Sequence, residues 1–216
     1  MKNINILYED DFSLVINKPA GLAVQGGKGV KSSVDKILAD YCCPPPLLVH
    51  RLDKDTSGAL LAAKGREAAS RFSRIFGAER KAVKLYTAVC ASCVRDAARS
   101  EGVITDKLMI RGSLKESETG YKVVKTGILP ETGFEYSVLE LVPGTGRMHQ
   151  IRRHLAMNGT PVLGDDKYGD FALNKKLRKT AGLKHLLLHS ARLIIKEFKI
   201  DVTAPPPDYF SGYIFL

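Results

Sequence analysis

The chain has 216 residues, a formal net charge of +10 at pH 7 and a sequence pI near 9.4. At roughly 150 residues per domain this length suits one well-packed domain, residues 1–216, and the 44% hydrophobic and 26% charged content excludes disordered, collagen-like and mucin-like classes. A basic balance of this size points to a polyanionic partner.

Residues 4–8 (INILY) and 12–17 (FSLVIN) read as two strands of a short hairpin. Lys18-Pro19-Ala20-Gly21 suits a tight turn, with Pro preset at its second position. From Ser32 or Ser33 as N-cap, Val34, Ile37, Leu38 and Tyr41 recur at helical spacing, and Pro44-Pro45-Pro46 stops the helix. Ala68, Ala69, Phe72, Ile75 and Phe76 mark a second helix that ends at Gly77. Strands are expected over 83–90, 121–128 and 134–142.

Gly144-Thr145-Gly146 is read as the opening of a third helix with Met148, Ile151 and Leu155 as its apolar stripe and Asn158-Gly159 as its end. On that helix Arg147, Gln150 and His154 would fall within about 60 degrees of one another and share a polar flank. The stretch 185–202 alternates as two closing strands. These elements have no βαβ rhythm, so the expected class is α+β: a mixed, mainly antiparallel sheet with a few flanking helices.

The positive charge is clustered. Residues 64–99 carry nine basic against three acidic residues and 143–199 carry twelve against four, whereas 1–63 balance. Such clustering favours phosphate-backbone contact, and without Trp or an aromatic-interleaved motif an RRM-type stacking platform is disfavoured. No apolar run reaches the roughly 18 residues of a membrane span, and the start turns acidic before a signal-peptide core forms, so a cytoplasmic location is expected. Cys42, Cys43, Cys90 and Cys93 lack a secreted disulfide spacing and read as reduced thiols; a zinc site from both pairs is disfavoured because adjacent cysteines fit tetrahedral geometry poorly.

Several common motifs fail. The glycines at 26–29 match neither a P-loop nor G-x-G-x-x-G, and no G-x-S-x-G elbow exists. His149 and His154 are one residue too far apart for the zinc pair of H-E-x-x-H. Asp53-Lys54-Asp55-Thr56-Ser57-Gly58 imitates the front of a calcium loop, but Lys64 stands where its bidentate Glu belongs.

What remains is His50-Arg51-Leu52-Asp53-Lys54-Asp55-Thr56-Ser57-Gly58, followed almost a hundred residues later by Gly146-Arg147-Met148-His149-Gln150-Ile151-Arg152. Both resemble signature segments of the RluA-type pseudouridine synthases. The resemblance extends through Asn17-Lys18-Pro19-Ala20-Gly21-Leu22, Lys84-Leu85-Tyr86-Thr87-Ala88, Gly159-Thr160-Pro161-Val162-Leu163-Gly164-Asp165 and Leu186-Leu187-Leu188-His189-Ser190. It implies an enzyme without cofactor or metal that cleaves the uracil N-glycosidic bond within RNA, rotates the base and rejoins it through carbon 5.

By this resemblance Asp53 is the catalytic carboxylate, Arg147 its cationic partner that keeps it ionised, and Tyr86 the ring that stacks on the target base. On residue type alone Asp53 would organise a turn, Arg147 would bind a phosphate and Tyr86 would be an ordinary strand tyrosine. Arg51 is assigned to the gap left by the flipped nucleotide. His50, His149 and Gln150 line the RNA-binding region as supporting polar neighbours, and Arg152, Arg153, Lys175, Lys176, Arg178 and Lys179 are expected to contact phosphates without reading sequence. The expected partner is a structured RNA, a ribosomal or transfer RNA loop, bound by a monomer; no membrane is involved.

The sequence departs from the family's pattern at Gln25-Gly26, at Ser92 and at Arg153, and its catalytic segments begin by residue 8, which leaves an S4 domain no room ahead of them. The competing reading is a non-catalytic RNA-binding or ribosome-assembly protein on the same fold.

Overall fold

The structure is a computed structural model that describes residues 4–91, 100–110, 113–129 and 132–214. Ser92 and Cys93 lie outside the described residues. The chain forms two compact units, Met1–Lys84 with His189–Pro207, and Leu85–Leu188 with Asp208–Leu216.

In the first unit, β1 (Asn5–Glu9) and β2 (Ser13–Lys18) make the expected antiparallel hairpin. Asp10 fixes its turn by accepting from the Phe12 and Ser13 amides at 2.8 and 2.6 Å and from the Ser13 hydroxyl at 3.0 Å. Helix α1 (Val34–Tyr41) starts after Ser33 as its apolar spacing requires, burying Val34 and Leu38. The short β3 (Leu47–Leu48) pairs with β4 (Ser57–Ala63), which also runs antiparallel to β2. Helix α2 (Arg66–Phe76) ends at Gly77. The unit is closed by β9 (Leu188–Ile195) and β10 (Ile200–Thr203), an antiparallel pair.

Alternation in the strands builds this core. Val15, Ala59, Leu61 and Ala63 form one buried cluster with Phe72 and Ile75 of α2 and with Leu193, Ile195, Ile200 and Val202. β4 meets β9 in parallel at Ser57 and Gly58 against His189 and Ser190. Gly58 is required there: its φ is +113°, and a Cβ would lie 2.2 Å from the Ser190 carbonyl oxygen.

In the second unit, β5 (Val83–Ala91) pairs with β8 (Phe134–Pro143), β8 with β7 (Ser113–Leu129), and β7 with β6 (Glu101–Ile110), all antiparallel. Two features differ from expectation. Strand β7 begins eight residues earlier than the strand expected over 121–128, and β6 was not anticipated; together they make a long ribbon whose outer face is polar, so Lys115-Glu116-Ser117-Glu118 reads as loop until its partner is known.

Helix α3 (Gln150–Met157) starts later than expected, because His149 adopts left-handed backbone (φ 53°, ψ 26°) and serves as N-cap. Arg147 and Met148 therefore precede the helix, Met148 is 64% exposed instead of joining the apolar stripe, and only Gln150 and His154 share a helical face. Helix α4 (Phe171–Thr180), also unanticipated, is capped by Asp170, whose carboxylate accepts the Leu173 amide at 2.9 Å. The short α5 (Ser211–Ile214) brings Tyr213 edge-on to Tyr136. The sheet is mixed and mainly antiparallel, as the α+β reading requires. No helix among the described residues is long and apolar enough to cross a membrane.

Candidate active site

The segment 50–58 lies in the first unit as a turn that feeds β4. The Thr56 amide donates to the Asp53 carbonyl at 3.2 Å and closes the turn, leaving Asp53 half-buried and Arg51 exposed. The turn is held from two sides. On one, Lys18, fully buried at the end of β2, donates through Nζ to the carbonyls of Pro19, Leu22 and Lys54, each at 2.9 Å, and the Gly21 amide reaches the same Lys54 carbonyl at 2.9 Å. Burial pushes Lys18 down to about 8, against the opposing pull of Asp55 and Asp53. Lys18 is the supporting residue that sequence reasoning passed over; a lysine ahead of Pro-x-Gly in a buried strand was the available signal.

On the other side, Ser57 Oγ lies 2.9 Å from His189 Nδ1, and His189 Nε2 lies 3.1 Å from the Ala204 carbonyl. A carbonyl only accepts, so Nε2 carries the proton and Nδ1 accepts from Ser57. Burial lowers His189 below the usual histidine range, which keeps it neutral. His50 is likewise internal: the Leu61 amide donates to its Nε2 at 2.9 Å, and its ring stacks on Phe76 at 4.1 Å. Burial, followed by the Lys84 charge, pushes His50 down to about 3.

The second unit holds the other two expected catalytic residues. Tyr86, 8% exposed, sits on β5 opposite Leu141. Arg147 lies on the loop before α3, where the Gln150 side-chain oxygen accepts its amide at 3.2 Å and its Nη1 donates to the Lys115 carbonyl at 2.7 Å. Gln150, 3% exposed, also takes the Thr145 hydroxyl and donates to the Glu118 carbonyl at 2.8 Å, so it fixes the loop and has no surface to offer RNA. His149 Nδ1 lies 3.2 Å from the Tyr168 hydroxyl, with the two rings edge to face.

Two of the expected phosphate contacts turn inward. Arg152 is 4% exposed and forks onto Asp165 with two bonds of 2.7 Å, reaching Asp166 at 3.3 Å as well. Despite its burial, Asp165 is held below the usual carboxylate range by Arg152 and by the Tyr168 and Lys167 amides. Arg153, the residue that departs from the family's pattern, pairs with Asp106 of β6. Asp106 also meets His154 at 3.0 Å and the Ser117 hydroxyl; burial opposes its ionised form, but these hydrogen bonds together hold it at about 2. Arg152, taken out of water, needs a carboxylate at once, whereas Arg153, its side chain 17% exposed, spends part of its charge on Asp106. By contrast Lys175, Lys176, Arg178 and Lys179 on α4 are all exposed.

Among the described residues no three side chains of His, Cys, Asp or Glu converge as metal ligands do. Cys90 is fully buried, which pushes its thiol well up, whereas Cys43 is exposed.

Residues 12–157 match the family model described as RNA pseudouridylate synthase. A ribosomal large subunit pseudouridine synthase C from Rickettsia felis is 37% identical, over 95% of this chain and 68% of its own length. The protein of the same name from Buchnera aphidicola is 34% identical, over 97% and 69%. Among solved structures, human RNA pseudouridylate synthase domain containing 1 superposes with a TM-score of 0.78 at 28% identity, covering 98% of this chain and 86% of that one. The chain belongs to the RNA pseudouridylate synthase family. It is an enzyme that isomerises uridine to pseudouridine in RNA.

Proposed function

We propose that Asp53 is the catalytic carboxylate of this isomerisation, that Arg147 is its cationic partner, and that Tyr86 packs against the target uracil once it has left the stack. The reaction is balanced without an added group: the bond from uracil nitrogen 1 to the sugar breaks, carbon 5 of the turned base forms the new bond, the proton on carbon 5 is released, and the freed nitrogen 1 takes up a proton. A carboxylate can support it by stabilising or capturing the sugar or base fragment. The observation that carries the assignment is the turn at 53–56, whose backbone is held by a buried lysine that serves no packing purpose an aliphatic residue would not serve better.

The substrate proposed is a loop of ribosomal RNA, following the names of the curated relatives, with a transfer RNA loop as the alternative target. A loop lowers the unstacking cost of base flipping to a few kcal/mol. Arg51, exposed beside Asp53, fills the gap left by the flipped nucleotide, and Lys175, Lys176, Arg178 and Lys179 contact phosphates. His50, His149, Gln150, Arg152 and Arg153 hold the site from within. The two units work as a single catalytic domain, monomeric and cytoplasmic, requiring no cofactor or metal.

The test is release of tritium from carbon 5 of uracil-labelled RNA, in EDTA, by the wild type and by Asp53→Asn. Release by the wild type alone supports the assignment. Equal release by both sinks it.

A further inference from the structure

Thr56 is 2% exposed, and its Oγ1 has no hydrogen-bond partner among the described residues. Around it the same turn is satisfied. Its own amide goes to the Asp53 carbonyl, the Lys54 carbonyl takes Lys18 Nζ and the Gly21 amide, and Ser57 Oγ is bonded to His189. A buried hydroxyl without a partner costs about 1–3 kcal/mol, a cost that valine, of nearly the same shape, would not incur. The group therefore makes sense if another state of the enzyme uses it.

Its position indicates which group it serves. Elsewhere in the first unit, Asp10 and Ser13 have the same three-residue spacing as Asp53 and Thr56, and there the Ser13 hydroxyl donates to the Asp10 carboxylate at 3.0 Å. At Asp53 the turn is closed through the main-chain carbonyl instead, so the threonine hydroxyl stays three residues from the carboxylate and uncommitted. The geometry points to Thr56 as a positioning residue whose hydroxyl donates to the Asp53 carboxylate when the target nucleotide enters and the hydrogen bonds of that carboxylate are exchanged. This inference rests on Asp53 being the catalytic carboxylate.

The experiment compares wild type, Thr56→Val, Thr56→Ser and Asp53→Asn for tritium release, for KM on RNA from cells lacking this protein, and for melting temperature. Because Thr56 Oγ1 has no hydrogen-bond partner among the described residues, Thr56→Val is expected to melt no lower than wild type and to keep its KM, while kcat falls about tenfold. Thr56→Ser, which keeps the hydroxyl, is expected to restore most of the turnover. Wild-type kcat in Thr56→Val, or a loss of kcat matched in Thr56→Ser and accompanied by a lower melting temperature, overturns the inference while leaving Asp53 in place. Turnover by Asp53→Asn instead removes the reading on which it rests.

Discussion

Lys18 shows how much a single buried charge can organise. Its three carbonyl acceptors come from the segment that follows β2, Pro19 and Leu22, and from the turn before β4, where Lys54 directly follows the proposed catalytic carboxylate. Lys18→Met fills similar volume but leaves the Pro19 and Leu22 carbonyls without this donor, at about 1 kcal/mol or more apiece, and the Lys54 carbonyl with the Gly21 amide alone. The expected result is a clear fall in the urea midpoint together with reduced turnover; a variant that unfolds at the wild-type midpoint contradicts this role. The histidines act in the acid range. His50, held near 3, stays neutral in the folded chain while the unfolded chain takes up protons below about 6.5, and His189, lowered by burial, acts in the same direction. The unfolded state then binds more protons, and stability is lost as pH falls from 6.5 towards 4, by about 1 kcal/mol per pH unit for each fully shifted histidine. Asp106, held at about 2, adds its own loss only below the usual carboxylate range. Urea midpoints at pH 7 and pH 5 check this, and a flat response would contradict it.

At the scale of elements, the Arg152–Asp165 fork ties α3 to the segment ahead of α4. Arg152→Ala leaves a 1% exposed carboxylate with backbone amides alone, and a loss of about 3–5 kcal/mol is expected. Arg152→Met with Asp165→Leu should recover much of it, because the charge penalty leaves with the pair; thermal melts of the two variants decide the matter. This is also where sequence reading met its limit. Elements with a buried apolar period, namely β2, α1, α2, β8 and the β9–β10 pair, were legible because hydrophobic spacing is a property of the segment itself. Strand β6 and the first half of β7 were not, since their ribbon is defined by pairing and its outer face is polar. The start of α3 was missed because the left-handed turn at His149 does not follow from residue type, and with it went the supposed shared face of Arg147 and His154. The Asp53 turn was found by its ordered motif, but the inward orientation of Arg152 and Arg153 depends on Asp165 and Asp106, which only the fold brings to them.

For the whole molecule the relevant quantity is charge. Of the basic residues expected to meet RNA, the α4 group is exposed and lies at and near the helix C-terminus, whereas Arg152 and Arg153 are neutralised within the second unit. Replacing Lys175, Lys176, Arg178 and Lys179 by Ala should weaken binding to all RNAs alike and flatten the slope of log affinity against log salt by up to roughly 3. An unchanged slope would remove α4 from the RNA-binding surface. The reaction as proposed, by contrast, depends on one carboxylate. The most direct measurement is therefore tritium release from carbon 5 of uracil-labelled RNA, taken in EDTA from cells lacking this protein, by wild type and Asp53→Asn side by side with an RNA-binding assay. The account predicts release by the wild type, none by the variant, and retained RNA binding by both; equal release by the two proteins, or none by the wild type on such RNA, would contradict it.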